Sequence, residues 1–216
     1  MKEILRYLCE NYWQLTNDAK HYILENTDEI RIAAGEVLLK PGETCNYVWF
    51  IKTGLLRAYQ EHYDEKRGTF KIYNNWFMTE NDIATSVVSC FRQVPSVETV
   101  EAVEDTVVFR MSRKDLLAGV ERFHSLALLT LFIVLKYYCD TKILEGFLRM
   151  KDPEHLQQYM LQTCPELLGR LSENLKHSFF GISDTKYRNV KSGRAAGKEA
   201  GGSNASKKSN KKSGGK

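Results

Sequence analysis

Between residues 29 and 111 the hydrophobic pattern breaks repeatedly at turn signals, and this rhythm constrains the chain more than any other feature. Ile30 and Ile32 alternate with Glu29 and Arg31, and Ala34-Gly35 then turns the chain. Val37-Leu38-Leu39 stops at Pro41-Gly42, and Tyr47–Ile51 stops at Thr53-Gly54. Leu55–Tyr59 leads to a charged tip, Asp64-Glu65-Lys66-Arg67-Gly68, before Thr69–Tyr73 resumes. Val97–Val103 and Thr106–Met111 complete the series. About seven or eight short strands at such spacing predict a closed or sandwich-like β-structure.

Helical patterns flank this region. In residues 1–26 Leu5, Leu8 and Tyr12 share one face, and Thr16-Asn17-Asp18 reads as a helix start. Past the strands, Ser112 is placed to cap a helix, with Asp115 near its positive end. Phe123–Leu148 then forms a long helix that is apolar on more than one side. Leu126, Leu129, Ile133, Tyr137 and Leu144 make one stripe, and Leu128, Leu131, Phe132 and Leu135 fill the adjacent faces. Such a helix needs two partners. The expectation is that one face packs on the β-structure and the other on a second copy, with the Leu126–Leu144 stripe as the dimer interface. Pro153 and Pro165 fit the first turns of shorter helices within 152–192.

Charge and cysteines narrow the function. The net charge of +4 is uneven: Lys191–Lys216 carries +7, leaving −3 on everything before it. Overall basicity therefore says nothing about the globular body. Ser192–Lys216 holds only Gly, Ser, Ala, Asn and charged residues and is expected to be a disordered basic tail. Cys9, Cys45, Cys90, Cys139 and Cys164 have no zinc or iron–sulfur spacing, so reduced thiols in a cytoplasmic protein are expected. His21, His62, His124, His155 and His177 are scattered, and no metal or cofactor is predicted. The N-terminus has no signal-peptide core, and the longest apolar run, Leu126–Leu135, is too short to span a membrane. No Gly-rich phosphate loop or nucleophile elbow points to an enzyme.

Three stretches carry a resemblance. Lys40-Pro41-Gly42-Glu43 followed by Tyr47–Arg57 is similar to a "G-E-x-x-x-x-x-Y-x-I-x-x-G-x-x-R" hairpin, Val100–Thr106 to the approach to a last barrel strand, and Gly181-Ile182-Ser183 to a helix-turn-helix turn. Together they resemble the Crp/Fnr family of bacterial transcription regulators, over about residues 5–191. The resemblance implies an α+β protein: an N-terminal double-stranded β-helix (jelly-roll) barrel over 1–120, a long dimerisation helix over 121–148, and a small helix-turn-helix domain over 149–191. It also implies a homodimer, DNA and RNA polymerase as partners, and no membrane. Cyclic-nucleotide binders of that family hold their ligand with a "G-E-L … R-[ST]-A" cassette. Here Ser96 stands at the arginine and Glu98 at the alanine, so the phosphate would lose its bidentate partner and meet a carboxylate. Cyclic AMP is therefore not expected to bind. The effector is unknown, with Glu80 and Arg92 as the candidate polar groups near it.

In the C-terminal module, Leu171–Phe180 reads as a first helix with Leu171, Leu175 and Phe179 on one stripe. Asp184–Lys191 reads as the recognition helix. Ser183 would cap it, while Thr185, Lys186, Arg188, Asn189 and Lys191 would face DNA; Arg suits guanine, Asn adenine, and Lys phosphate. Asn189 stands where the family often has arginine, and no β-hairpin wing is developed. A regulator is the preferred reading. The alternative is an effector-binding or protein-interaction module with a decayed helix-turn-helix that does not act on DNA.

Overall fold

A computed structural model describes residues 1–65, 68–150 and 153–180. The expected recognition helix and basic tail lie outside them, as do all six DNA-facing candidates, Ser183, Thr185, Lys186, Arg188, Asn189 and Lys191. The chain opens with α1 (Lys2–Asn11) and α2 (Asn17–Glu25). Thr16 caps α2, its side chain accepting from the Ala19 N–H. Eight strands follow: β1 (Asp28–Ile32), β2 (Val37–Leu39), β3 (Tyr47–Thr53), β4 (Leu56–Asp64), β5 (Thr69–Met78), β6 (Ile83–Ala84), β7 (Thr99–Ala102) and β8 (Thr106–Ser112). The short helix α3 (Val87–Arg92) separates β6 from β7. Then come α4 (Arg113–Arg122), α5 (His124–Met150), α6 (Pro153–Thr163), α7 (Pro165–Arg170) and α8 (Glu173–Phe180). Ser112 caps α4 by accepting from the Asp115 N–H, as its sequence position predicted.

The strands form two antiparallel four-stranded sheets, ordered β1-β8-β3-β6 and β2-β7-β4-β5. Their inner faces meet on Ile32, Leu39, Trp49, Ile51, Leu56, Ala58, Val100, Ala102 and Val108. A second core lies outside the first sheet. There Val48, Phe50, Phe109 and Met111 pack with Leu5, Leu8, Ile23, Leu116, Leu126 and Leu129. Strand β3 therefore serves both cores, Trp49 and Ile51 inward and Val48 and Phe50 outward, which explains its unbroken apolar run.

Several elements differ from the sequence expectation: β4 runs past Tyr59 to Asp64, and the short β6 (Ile83–Ala84) was not foreseen. Strand β5 continues past Tyr73 to Met78, because a register shift between Ala58 and Tyr59 lets Asn74 face Tyr59 and Trp76 face Ala58. Helix α3 occupies a segment in which no element was expected. At the end of β3, Gly54 has φ +105° and sits against Thr106, whose hydroxyl accepts from the Leu55 N–H at 3.1 Å and donates to the Glu104 carbonyl at 2.7 Å.

Candidate functional site

Helix α3 and the loop after it occupy the region of the cassette. Ser96 is buried; its hydroxyl donates to the Glu98 carbonyl, two residues on, at 2.8 Å and lies 3.3 Å from the Ser86 hydroxyl. Ser89 ties the helix down, accepting from the Cys45 N–H at 2.9 Å and donating to the Val94 carbonyl at 2.6 Å. Cys45 and Cys90 are buried beside them as free thiols. A hydrogen bond from Cys90 favours the thiolate on Cys45 and pushes the Cys90 thiol up. Glu98 is engaged on the surface by Asn75, whose amide donates to it at 2.8 Å. The side chains named around α3 are thus hydroxyls and thiols, and the Glu98 carboxylate already has a partner. Arg92 is exposed at the end of α3.

Glu80, the other effector candidate, lies in the turn between β5 and β6. Its carboxylate accepts from the Gly54 N–H at 2.7 Å and pairs with Arg170 of α7 at 2.7 Å. Arg170 also reaches Glu104, in the β7–β8 turn, at 2.5 Å. Burial opposes ionisation of Glu80, but Arg170 and the Gly54 N–H outweigh it and hold the carboxyl below its ordinary range. Two residues on, Asp82 accepts from the Tyr137 hydroxyl of α5 at 3.1 Å, and the same hydroxyl accepts from the Ile83 N–H at 2.9 Å. Burial raises the Tyr137 phenol, with the Asp82 charge adding to it. Neither Arg170 nor Asp82 was marked by any local pattern. Each is an ordinary charged residue in sequence, and only the fold joins them.

The outer face of the second sheet carries a half-buried polar cluster. Arg57 pairs with Glu101 at 3.0 Å and contacts Asn74 at 3.3 Å, and the Tyr59 hydroxyl donates to Glu101 at 3.0 Å. Helix α8 lies against the same sheet. Ser178 accepts from the Asn74 N–H at 3.2 Å and donates to the Ile72 carbonyl, and Phe179 meets Phe77 edge-on at 5.3 Å. Leu171 and Phe179 of the expected first-helix stripe are buried, with Leu175 half-buried.

The structure reassigns the faces of α5. Leu126, Leu129 and Ile133 are 3%, 2% and 9% exposed, in the core they share with α1, α2 and the first sheet. Tyr137 is held by Asp82, and Leu144 is half-buried. The stripe expected at a dimer interface is therefore largely covered by the chain itself. The uncovered stripe is Leu131, Val134, Leu135 and Tyr138, at 50%, 54%, 45% and 58% exposure. Its i, i+3, i+4, i+7 spacing puts all four on one face. Among the described residues no helix is long and apolar enough to cross a membrane, and no group of side chains could hold a metal ion.

Residues 29–123 match the cyclic nucleotide-binding domain family. Solved structures of similar fold include a CooA mutant from Carboxydothermus hydrogenoformans, at 17% identity over 81% of this chain and 78% of that one, with a TM-score of 0.63. A protein assigned to the crp/fnr family from Eubacterium rectale has 16% identity over 85% of each chain and a TM-score of 0.62. The Catabolite Activator Protein of Thermus thermophilus has 15% identity over 88% and 86%, with a TM-score of 0.52. No curated protein sequence matches the chain. At these identities the likeness shows a shared fold.

Proposed function

We propose that this chain is a DNA-binding transcription regulator of the Crp/Fnr type, acting as a homodimer, whose barrel senses something other than cyclic AMP. One observation carries the reading. The fold likeness to such proteins covers 81–88% of the chain, whereas the barrel match, residues 29–123, is less than half of it. Coverage of that extent supports an architecture that runs past the barrel into the long helix. Helix α8 then ends where Gly181-Ile182-Ser183 would turn into the recognition helix. Arg188 and Asn189 read base edges in this account, and the tail lysines Lys207, Lys208, Lys211 and Lys212 meet phosphates without regard to sequence.

These two parts fail differently. Replacing Arg188 or Asn189 with alanine is expected to cost about 1–3 kcal/mol on the specific site and little on random DNA. Deleting Ser192–Lys216 weakens both kinds of binding and flattens the salt dependence, each lost phosphate contact removing about 0.9 from its slope. Gel-shift or fluorescence titration of specific against random DNA checks this. Wild-type ratios in both alanine variants would favour an effector-binding module with a decayed helix-turn-helix.

Cyclic AMP is excluded in this account by the wall around Ser86 and Ser96. Ser96 puts no cation where the cassette has its arginine, and Glu98 stands where the cassette is small. Calorimetry with cyclic AMP and cyclic GMP should show no binding heat up to millimolar ligand. Micromolar affinity for either would overturn this part of the reading.

A further inference from the structure

The turn Thr79–Asp82 is pinned from below and loaded from two sides. Below, the Asn81 N–H donates to the Ile51 carbonyl at 2.9 Å and the Ile51 N–H donates to the Asp82 carbonyl at 3.0 Å, fixing the turn on β3. Asn81 takes φ +69°, a left-handed conformation that asparagine tolerates better than most residues. The Asp82 carboxylate closes the turn by accepting from the Thr79 N–H at 3.0 Å. Its other oxygen receives the Tyr137 hydroxyl and lies 3.7 Å from the Lys136 ammonium, both on α5. On the opposite side Glu80 holds Arg170 of α7 through both guanidinium Nη atoms, at 2.7 and 3.3 Å. Arg170 has no other anchor on the barrel than Glu80 and Glu104 among its described ion pairs.

We propose that this turn is a two-sided latch: through Glu80 and Arg170 it holds α7 and α8 on the barrel, and through Asp82 and Tyr137 it makes that hold depend on the position of α5. The geometry requires the coupling to pass through the backbone of a few residues. Glu80 and Asp82 flank one left-handed residue whose N–H is held by Ile51, so a shift of α5 that drags Asp82 strains that bond and rotates the Glu80–Asn81 peptide. Arg170 reads that rotation sharply, because a planar guanidinium gripping two carboxylates tolerates little misalignment. Beyond the latch, α8 meets the second sheet through two Ser178 hydrogen bonds and the edge contact of Phe179 on Phe77, so the latch acts beside this docking and the exchange of 165–180 reads both. The bearing of the latch on DNA rests on the reading above; the latch itself does not.

Hydrogen–deuterium exchange of the full chain, without DNA, tests it. In Arg170→Gln, peptides within 165–180 should exchange roughly fivefold faster, the factor set by losing about 1 kcal/mol of a partly exposed ion-pair network. Peptides of β3 should not change, and Arg170→Lys should recover part of the protection. Tyr137→Phe should also speed exchange in 165–180, although Tyr137 is hydrogen-bonded to Asp82 and Ile83 and not to α7 or α8. Unchanged exchange there in Arg170→Gln would show that the clamp holds nothing. If Tyr137→Phe alters only α5 and the turn, the two ion-pair sites are independent and the latch is wrong. Should a variant lose the barrel as well, the wild-type chain supplies the answer. Raising salt from about 0.05 to 1 M screens partly exposed pairs, so it should loosen 165–180 ahead of β3. Equal protection at both salts would overturn the proposal.

Discussion

Replacing Gly54 with alanine should destabilise the barrel by about 3–5 kcal/mol, combining a strained positive φ with an overpacked contact. At φ +105° a side chain is disfavoured before any neighbour is considered. The added Cβ would then lie 2.6 Å from the Thr106 Cα and 2.3 Å from its hydroxyl oxygen. Trimming Thr106 cannot relieve the first of these, since it is backbone. The collision also falls on a knot of hydrogen bonds: Gly54 N–H to Glu80, Leu55 N–H to Thr106, and Thr106 to Glu104. A loss of this size consumes a large share of a typical domain's stability. Urea unfolding followed by tryptophan fluorescence measures it, and a midpoint within experimental error of wild type would show that the Gly54–Thr106 approach is not a constraint. By contrast, Gly146→Ala, where an added Cβ meets nothing within 4 Å, should be neutral or mildly stabilising in helix α5.

The second large effect concerns association. If α5 pairs with its copy through Leu131, Val134, Leu135 and Tyr138, then Val134→Glu places an unpaired charge in the seam twice, once per protomer. Burying each such charge costs several kcal/mol, so the dimer constant should weaken by upwards of about 100-fold. Light scattering at micromolar concentration should move from about twice 24.9 kDa toward 24.9 kDa, with the barrel still folded. Leu129→Ala should behave in the opposite way. It opens a cavity in the protomer's own core, lowering unfolding stability by about 2–5 kcal/mol while leaving stoichiometry intact. A Val134→Glu chain that stays dimeric would place the interface elsewhere.

That pair of variants also marks where sequence reasoning stopped. The long helix was legible as two-faced, because leucines on several sides cannot all be served by one neighbour. Which stripe faced which neighbour was not legible, because Leu126 and Leu129 are chemically the same as Leu131 and Leu135. The placement of α1, α2 and the first sheet against the first stripe distinguishes them, with Leu5, Leu8, Ile23 and Phe50 in that core. The strand rhythm, the Thr16 and Ser112 caps and the proline helix starts were readable because each is local chemistry. The β5 extension was missed because the apolar pattern lapses at Asn74-Asn75, while pairing across a register shift kept the strand in the sheet. Glu80 was noticed for its place in the sequence, but its partner Arg170 lies ninety residues away, and nothing near either residue announces the other.

The pairing of β1 with β8 has a consequence in time. Asp28 faces Arg110 and Ile32 faces Thr106, so the first strand of the sheet is zipped only by the last. A ribosome adding about 5–20 residues per second brings Arg110 out some 4–16 s after Asp28. For that interval β1 has an open edge and no inner core to cover Ile32. Long-range closure of this kind is slow even in a free chain, and on the ribosome it cannot begin earlier. The nascent barrel therefore passes through a period with an unpaired strand, in which holding by a chaperone or pairing with a neighbouring nascent chain competes with correct closure.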